Sequence, residues 1–462
     1  MALLSTITAL FRIPEVCQKV MLTLILLAVY RLGFSIVLAV VNQDSLAASL
    51  KDRGDGGGVD SAIALLSILS ASNVGMMTIF GLGIMPYISA SIVFQLLATV
   101  YPPLEALQKE GDVGRRKIAE YTRYATVLIC LGQSFVWMRM LMPSETMHNS
   151  NSMVWLGFDG IVFQLICSVT MTTGSTLLMW ISEQIDEYGI GNGVSLIIMS
   201  GILARVPEVV RSQVQPALDQ GVAIGSHTGI ERFVVLATLF VAVVLCVVFV
   251  TQAQRRIPVH SAKHVTGTRH FSAQKQYLPL RVNQSGVMPV IFASSLIVFP
   301  LLIIRQLAVF AVGSPYIRFV FDSLEASLSD SNGLVYNFIY VSLIYFFCFF
   351  WSAVTFNPTE VANNLREYGS FIPGYRPGIR TAAYLQLVIS RMNFLGAAFL
   401  SAIAVIPVLV MNSMHIDYLT ASFFGGTGLL ICVSVVIDLV QKVDSYLLAS
   451  NQPTLLIDSR RV

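Results

Sequence analysis

Apolar residues along this chain collect into long runs separated by short polar segments, and the runs have the length of membrane-crossing helices. The first, Val20 to Val41, covers 22 residues, about 33 Å as a helix at ~1.5 Å per residue, enough to cross a bilayer core. It is longer than the apolar core of a signal peptide and lacks a small-residue cleavage site, so it reads as an uncleaved first helix. The pattern predicts about ten spans: 20–41, 75–101, 122–142, 161–181, 193–210, 233–252, 285–308, 334–356, 392–412 and 422–440. Arg205 and Pro207 interrupt the fifth.

One phrase occurs twice. Gly83 to Ser91 reads GIMPYISAS and Gly286 to Ser294 reads GVMPVIFAS. In a chain rich in Gly, Ile, Ala and Ser, chance competes with a true repeat. Position favours a repeat, inherited from a duplication or demanded by a shared gate, because each copy lies in the second span of a set of five. An odd number of spans per set makes the second set enter the membrane in the opposite sense, as an inverted repeat of the first. Inverted repeats with interrupted helices can build a pathway at their interface, since irregular backbone at membrane depth is tolerated only against protein or water. The Gly and Pro of each copy predict a kink there. Placing both termini inside puts 20 of the 29 Lys and Arg residues on inside segments, the asymmetry expected of cytoplasmic loops.

Composition agrees with a membrane protein: 55% of residues are hydrophobic and only 12% charged, against about 25% in soluble domains, and the mean hydropathy is +0.72. Six scattered cysteines without a C-x-x-C pair suggest neither a disulfide framework nor a metal site. No phosphate loop, H-E-x-x-H motif or nucleophile elbow is present, so neither an enzyme nor a cofactor is expected. GIGNG, Gly189 to Gly193, has no preceding strand and lacks the last glycine of a dinucleotide loop. It reads as a helix break at the membrane surface. The spans are almost free of Asp, Glu and His, which ion-coupled transport usually needs. Asp438 comes late in the last span, and Glu183, Asp186 and Glu187 fall in a short inside loop. Arg31 stands mid-span, and a snorkelling structural role is favoured over a place on a pathway.

Several motifs together carry a family resemblance: GIMPYISAS, KEGDVGRRKIAEYTRYAT, EYGIGNGVSLIIMSGI, QAQRRIPV, GVMPVIFASS, FNPTEVANNLREYGSFIPGYRPGIRT and FGGTGLLICVSVVIDLV. In this order, over nearly the whole chain, they resemble the SecY-type protein-translocation channel in its bacterial form. The resemblance implies an all-α polytopic membrane fold of about ten helices in two inverted halves, 1–212 and 213–441, with a cytoplasmic tail at 442–462. It implies a passive protein-conducting channel in the bacterial inner membrane that passes unfolded secretory proteins across and releases membrane helices sideways. By motif, Ile84, Ile88, Ile198, Ile291 and Ile431 match the pore ring. Such a ring can part around an extended chain yet dewet and block ions when narrow. Ser61 to Gly75, after the Gly-rich loop Gly54 to Gly58, matches the plug. Ser89 and Phe299 match the lateral gate, where an apolar signal sequence gains lipid contact at ~0.8 kcal/mol per buried CH₂.

Two basic segments stand out, about 253–284 and 357–391. Arg255 and Arg256 lie in the first, and Arg376, between Gly and Pro residues, in the second. Composition alone explains them as orientation signals. The resemblance implies docking of the ribosome and of the SecA ATPase, and a heterotrimer with SecE and SecG. Signal sequences, nascent chains and membrane lipids complete the implied partners. The competing class, a small-solute transporter, is disfavoured by the missing mid-membrane carboxylates and the large basic loops.

Overall fold

The computed structural model describes residues 14–38, 78–141, 161–207, 209–211, 230–261, 265–266, 269–270, 275–284, 286–294, 296–297, 333–414 and 427–449, with single positions at 304, 321, 323, 324, 327 and 328. The expected plug Ser61 to Gly75, the loop Gly54 to Gly58, Phe299, the 212/213 boundary and half of the seventh run lie outside these residues.

Helix α1 is Pro14–Gly33, starting before the predicted run and stopping eight residues short of Val41. The stop has a packing cause. A Cβ on Gly33 would come within 1.9 Å of the Phe80 ring, and Tyr30, Phe34 and Phe80 form an aromatic cluster. Beyond it the chain is extended, bridging Val37 to Thr78, while the Ile79 amide donates to the Ile36 carbonyl at 3.1 Å. This anchors the approach to α2, Met85–Val100.

The GIMPYISAS phrase does not kink a helix; it starts one. Gly83 has φ +59° and Gly286 φ +64°, a left-handed backbone that glycine adopts without strain. Pro86 then lies in the first turn of α2, and Pro289 near the start of the helical residues 288–294. A first-turn proline costs no hydrogen bond, because its amide would have been unpaired in any case. The two copies share one backbone: Ile88 N–H donates to the Ile84 carbonyl at 3.2 Å and, at the same repeat positions, Ile291 N–H to the Val287 carbonyl at 3.3 Å.

At Tyr101, whose backbone is extended before Pro102, α2 turns by 102° into α3, Pro102–Lys109, as the preference of pre-proline residues predicts. Helix α4, Asp112–Leu141, returns along α2. Helix α5, Ile161–Tyr188, presses so closely on the approach to α2 that a Cβ on Gly174 would be 2.2 Å from the Ile79 carbonyl oxygen. Thr170, Thr172, Thr173 and Thr176 on α5 return their hydroxyls to carbonyls one turn back, satisfying polar groups in an apolar setting. Helix α6, Gly193–Leu203, has 11 residues, about 17 Å of helix and too short to span by itself. Helices α7, Ile230–Gln252, α8, Leu334–Thr355, α9, Pro358–Glu367, α10, Ile379–Met414, and α11, Thr427–Ala449, follow among the described residues, with the short helix 288–294 between α7 and α8.

Among the described residues, five helices are long and apolar enough to cross a membrane, and the bent α2–α3 pair makes a sixth. Helix α4 carries charge along its first turns and α11 along its last, and α6 is short, so these three fall below that standard. The molecule is an all-α polytopic membrane protein whose described strands form a three-stranded sheet and a two-stranded ribbon. In that sheet β1, Gln254–Ser261, pairs antiparallel with β4, Lys275–Arg281, and with β5, Ser370–Phe371, in the order β4-β1-β5. Between β1 and β4 a short ribbon joins β2, Val265–Thr266, to β3, Arg269–His270.

Candidate functional site

One large apolar core joins nearly all the long helices, and all five predicted ring residues belong to it. Ile84, Ile88, Ile198, Ile291 and Ile431 are each at most 5% exposed. Three of them, Ile88 of α2, Ile198 of α6 and Ile291 of the 288–294 helix, also line a cavity of about 160 Å³. Ile84 and Ile431 lie in the core without reaching that cavity wall.

The cavity draws its walls from both sides of the predicted boundary at 212/213. Tyr87, Ile88, Ser91 and Gln95 come from α2, at a spacing that places them on one helical face. Phe292 meets Trp351 of α8 edge to face at 5.4 Å, extending the opposite wall. Polar groups gather where α5 turns into α6, with Asp186, Asn192 and Ser195 on the lining. Their capacity is largely used within the fold: Asp186 Oδ1 accepts from the Gly193 amide at 2.8 Å and Asn192 Oδ1 from the Ser195 amide at 3.0 Å, capping α6. Gln95 Nε2 donates to Ser91 Oγ at 3.2 Å, while its Oε1 is buried with no partner. The result is a wall of isoleucine and aromatic residues interspersed with polar groups from α2 and from the turn between α5 and α6.

Asp186 was expected in a loop; it lies in the last turn of α5 and faces the cavity. The apolar pattern had ended the fourth span at residue 181, but Glu183 pairs with Arg123 of α4 at 2.8 Å, which lets the helix continue. Arg31 is exposed on α1 and absent from the cavity lining, in keeping with a structural role. Ser89 is 5% exposed, and its hydroxyl has no hydrogen-bond partner. Its expected counterpart across the gate, Phe299, is outside the described residues.

The two basic segments, separate in sequence, form one body. His260 pairs with Phe371 and Ser261 with Ser370, while Ile257, Val259, Leu280 and Ile372 pack with Leu385, Val388, Ile389 and Met392 of α10 as a second hydrophobic core. Alternation along β1 turns Ile257 and Val259 inward and Arg256 outward, and Arg255, on the inward parity, is exposed because it lies at the start of the strand, before the buried stretch. Arg376 is also exposed, on a tip between Gly374 and Gly378 with φ +89° and +105°. Tyr375 stacks on Tyr384 at 4.2 Å, and Thr381 Oγ1 donates to the Arg376 carbonyl at 2.9 Å. The tip is therefore fixed at its base. Sequence reading missed this joining, as well as Tyr87, Gln95, Met288 and Trp351 on the cavity. The spacing of Tyr87, Ser91 and Gln95 was a signal for three residues of one face; nothing local marked Trp351.

No metal-holding cluster of His, Cys, Asp or Glu occurs among the described residues, and all six cysteines are free thiols.

The SecY family profile matches residues 78–440. The protein translocase subunit SecY of Aquifex aeolicus is 38% identical over 445 residues, covering 95% of this chain and 96% of that protein. A solved structure described as that of a protein conducting channel aligns with TM-score 0.62 and 20% identity over 95% of this chain and 96% of its own. Sec61 from the canine ribosome-channel complex aligns with TM-score 0.58 and 19% identity over the same shares. The profile match covers the α2 start, the cavity, the basic sheet and the beginning of α11, and with the full-length identity it shows that this chain belongs to the SecY family of protein translocase subunits.

Proposed function

We propose that this chain is the central pore-forming subunit of a protein translocon, a passive channel through which unfolded secretory proteins pass. The observation that carries the reading is the cavity itself, with Ile88, Ile198 and Ile291 on walls drawn from both sides of the predicted boundary at 212/213. Its isoleucines offer no directional bond to a particular substrate, and Asp186 and Asn192 beside them are bonded within the fold, so the lining suits a polypeptide of any sequence. With Ile84 and Ile431 in the same core, five isoleucines can close against ions by excluding water. Asp186 is the one carboxylate on the lining, and its bond to Gly193 gives it a structural task. That disfavours the alternative of an ion-coupled solute transporter.

In this reading the helices form two inverted halves, about ten spans in all, with both termini in the cytoplasm and the membrane being the bacterial inner membrane. Plug and lateral gate follow the family pattern, with Ser89 on one side of the gate. Arg255, Arg256 and Arg376 dock the driving partner, a ribosome or the SecA ATPase, and SecE and SecG complete a heterotrimer. The chain itself carries out no catalysis. The likeness to a Sec61 chain from a ribosome-channel complex supports the ribosome as one partner, and the exposed guanidinium groups on a rigid sheet suit an anionic RNA backbone.

A photocrosslinker at Ile88 or Ile291 tests this. An arrested secretory protein should be captured at both positions; capture at neither removes the channel reading.

A further inference from the structure

The GIGNG turn between α5 and α6 is held from three helices. Thr23 Oγ1 of α1 accepts from the Ile190 amide at 3.2 Å. Asp186 of α5 accepts from the Gly193 amide at 2.8 Å. Lys442 of α11, from the far end of the chain, donates Nζ to the Gly191 carbonyl at 2.7 Å. Between these bonds Ile190 is buried against Val16 of α1 and Val443 of α11. One turn further out, Lys19 Nζ reaches the Tyr446 hydroxyl at 3.2 Å and stands 4.6 Å from its ring. The backbone is packed without slack: a Cβ on Gly193 would be 2.1 Å from the Ser182 carbonyl oxygen, and one on Gly189 2.7 Å from Thr23 Oγ1.

This turn fixes where α6 begins. Ile198 lies five residues beyond Gly193 on that helix. Helix α11 carries Ile431 eleven residues before Lys442, about three helical turns, so both lie on one face of α11. Helices α6 and α11 pack directly on each other, and Ile198 and Ile431 share the same core. The Lys442 to Gly191 bond therefore ties the depth of one constriction residue to that of another, across the two halves. No residue of α1 or α11 lines the cavity, so Thr23 and Lys442 bond the turn from behind the cavity wall, and their bonds survive while α2 and the 288–294 helix part.

We infer that Lys442 is a positioning residue for the constriction, holding Ile198 in register with Ile431 through the Gly191 carbonyl. This rests on the proposed ring. A merely orienting charge at this position would need no particular acceptor, whereas Nζ meets a main-chain carbonyl in a turn whose Gly189 and Gly193 leave no room for a Cβ.

The test uses the full chain with its partner subunits in vesicles. Lys442→Met keeps an unbranched stem as far as the ε position and removes the donor; Lys442→Arg keeps a donor. With Ile198→Cys and Ile431→Cys present, crosslinking yield reports their register independently of any transport. Lys442→Met is expected to lower that yield severalfold and raise resting ion leak, with export of a secretory protein within about twofold of the parent, the difference expected of a group outside the path. Lys442→Arg should restore both readouts, and Thr23→Val, which loosens the same turn, should act in the direction of Lys442→Met. Unchanged register and leak in Lys442→Met overturns the inference, as does failure of Lys442→Arg to restore them. Lowered register with no change in leak shows that these residues do not seal the pore. That outcome rejects the ring reading and with it the positioning role.

Discussion

At the residue scale, the site depends on small side chains as much as on large ones. Gly193 admits no Cβ because the Ser182 carbonyl occupies the space. Gly193→Ala should destabilise the fold by about 1–3 kcal/mol, as overpacking against fixed backbone does, seen as a lower midpoint of thermal unfolding in detergent. Arg376 illustrates the opposite case, an exposed group whose removal costs the fold little. With Arg376→Glu, protein levels in the membrane should be unchanged, while motor-driven export falls roughly tenfold or more, the effect of turning a close charge contact into repulsion. Normal export in that variant would remove Arg376 from the docking surface. The five isoleucines were legible only through their motifs, since an isoleucine in an apolar run is ordinary by composition. Motif matching grouped all five in one ring, and the structure packs all five in one core, but the motifs did not distinguish Ile88, Ile198 and Ile291, which face the cavity, from Ile84 and Ile431, which do not.

At the element scale, hydropathy found the long helices and misplaced their ends. It reports how apolar a segment is, and not where the backbone stops being helical. Helix α1 stops at Gly33 because Phe80 packs there, a contact between residues 47 positions apart. The GIMPYISAS phrase gave the right place for an interruption but the wrong form, because Gly83 and Pro86 act on either side of a helix start. The basic segments looked like two loops because β5 is two residues long and its partner lies more than a hundred residues away. Their union has a consequence for docking. Ile257→Asp places a charge in the small core beneath the sheet, and it should expose both the 253–284 and 357–391 segments to protease together. If only the first segment becomes sensitive, the sheet does not couple them.

For the whole molecule, the proposed channel carries a polypeptide where α2 faces the 288–294 helix, while α1 and α11, which put no residue on the cavity wall, hold the GIGNG turn from behind. The shared phrase prepares both faces alike, each with a left-handed glycine, a first-turn proline and an isoleucine one turn later. That symmetry was visible in the sequence as a pattern of letters, and its meaning as matched helix starts needed the backbone. The most direct measurement joins Ile88→Cys to Ile291→Cys with a short reducible crosslinker, in a chain whose six free cysteines are replaced by alanine. Export of a secretory protein should stop when the bridge forms and return when it is reduced, whereas a single cysteine at the exposed Phe249 of α7 should leave export untouched. Undiminished export through the bridged protein would contradict passage between these two faces.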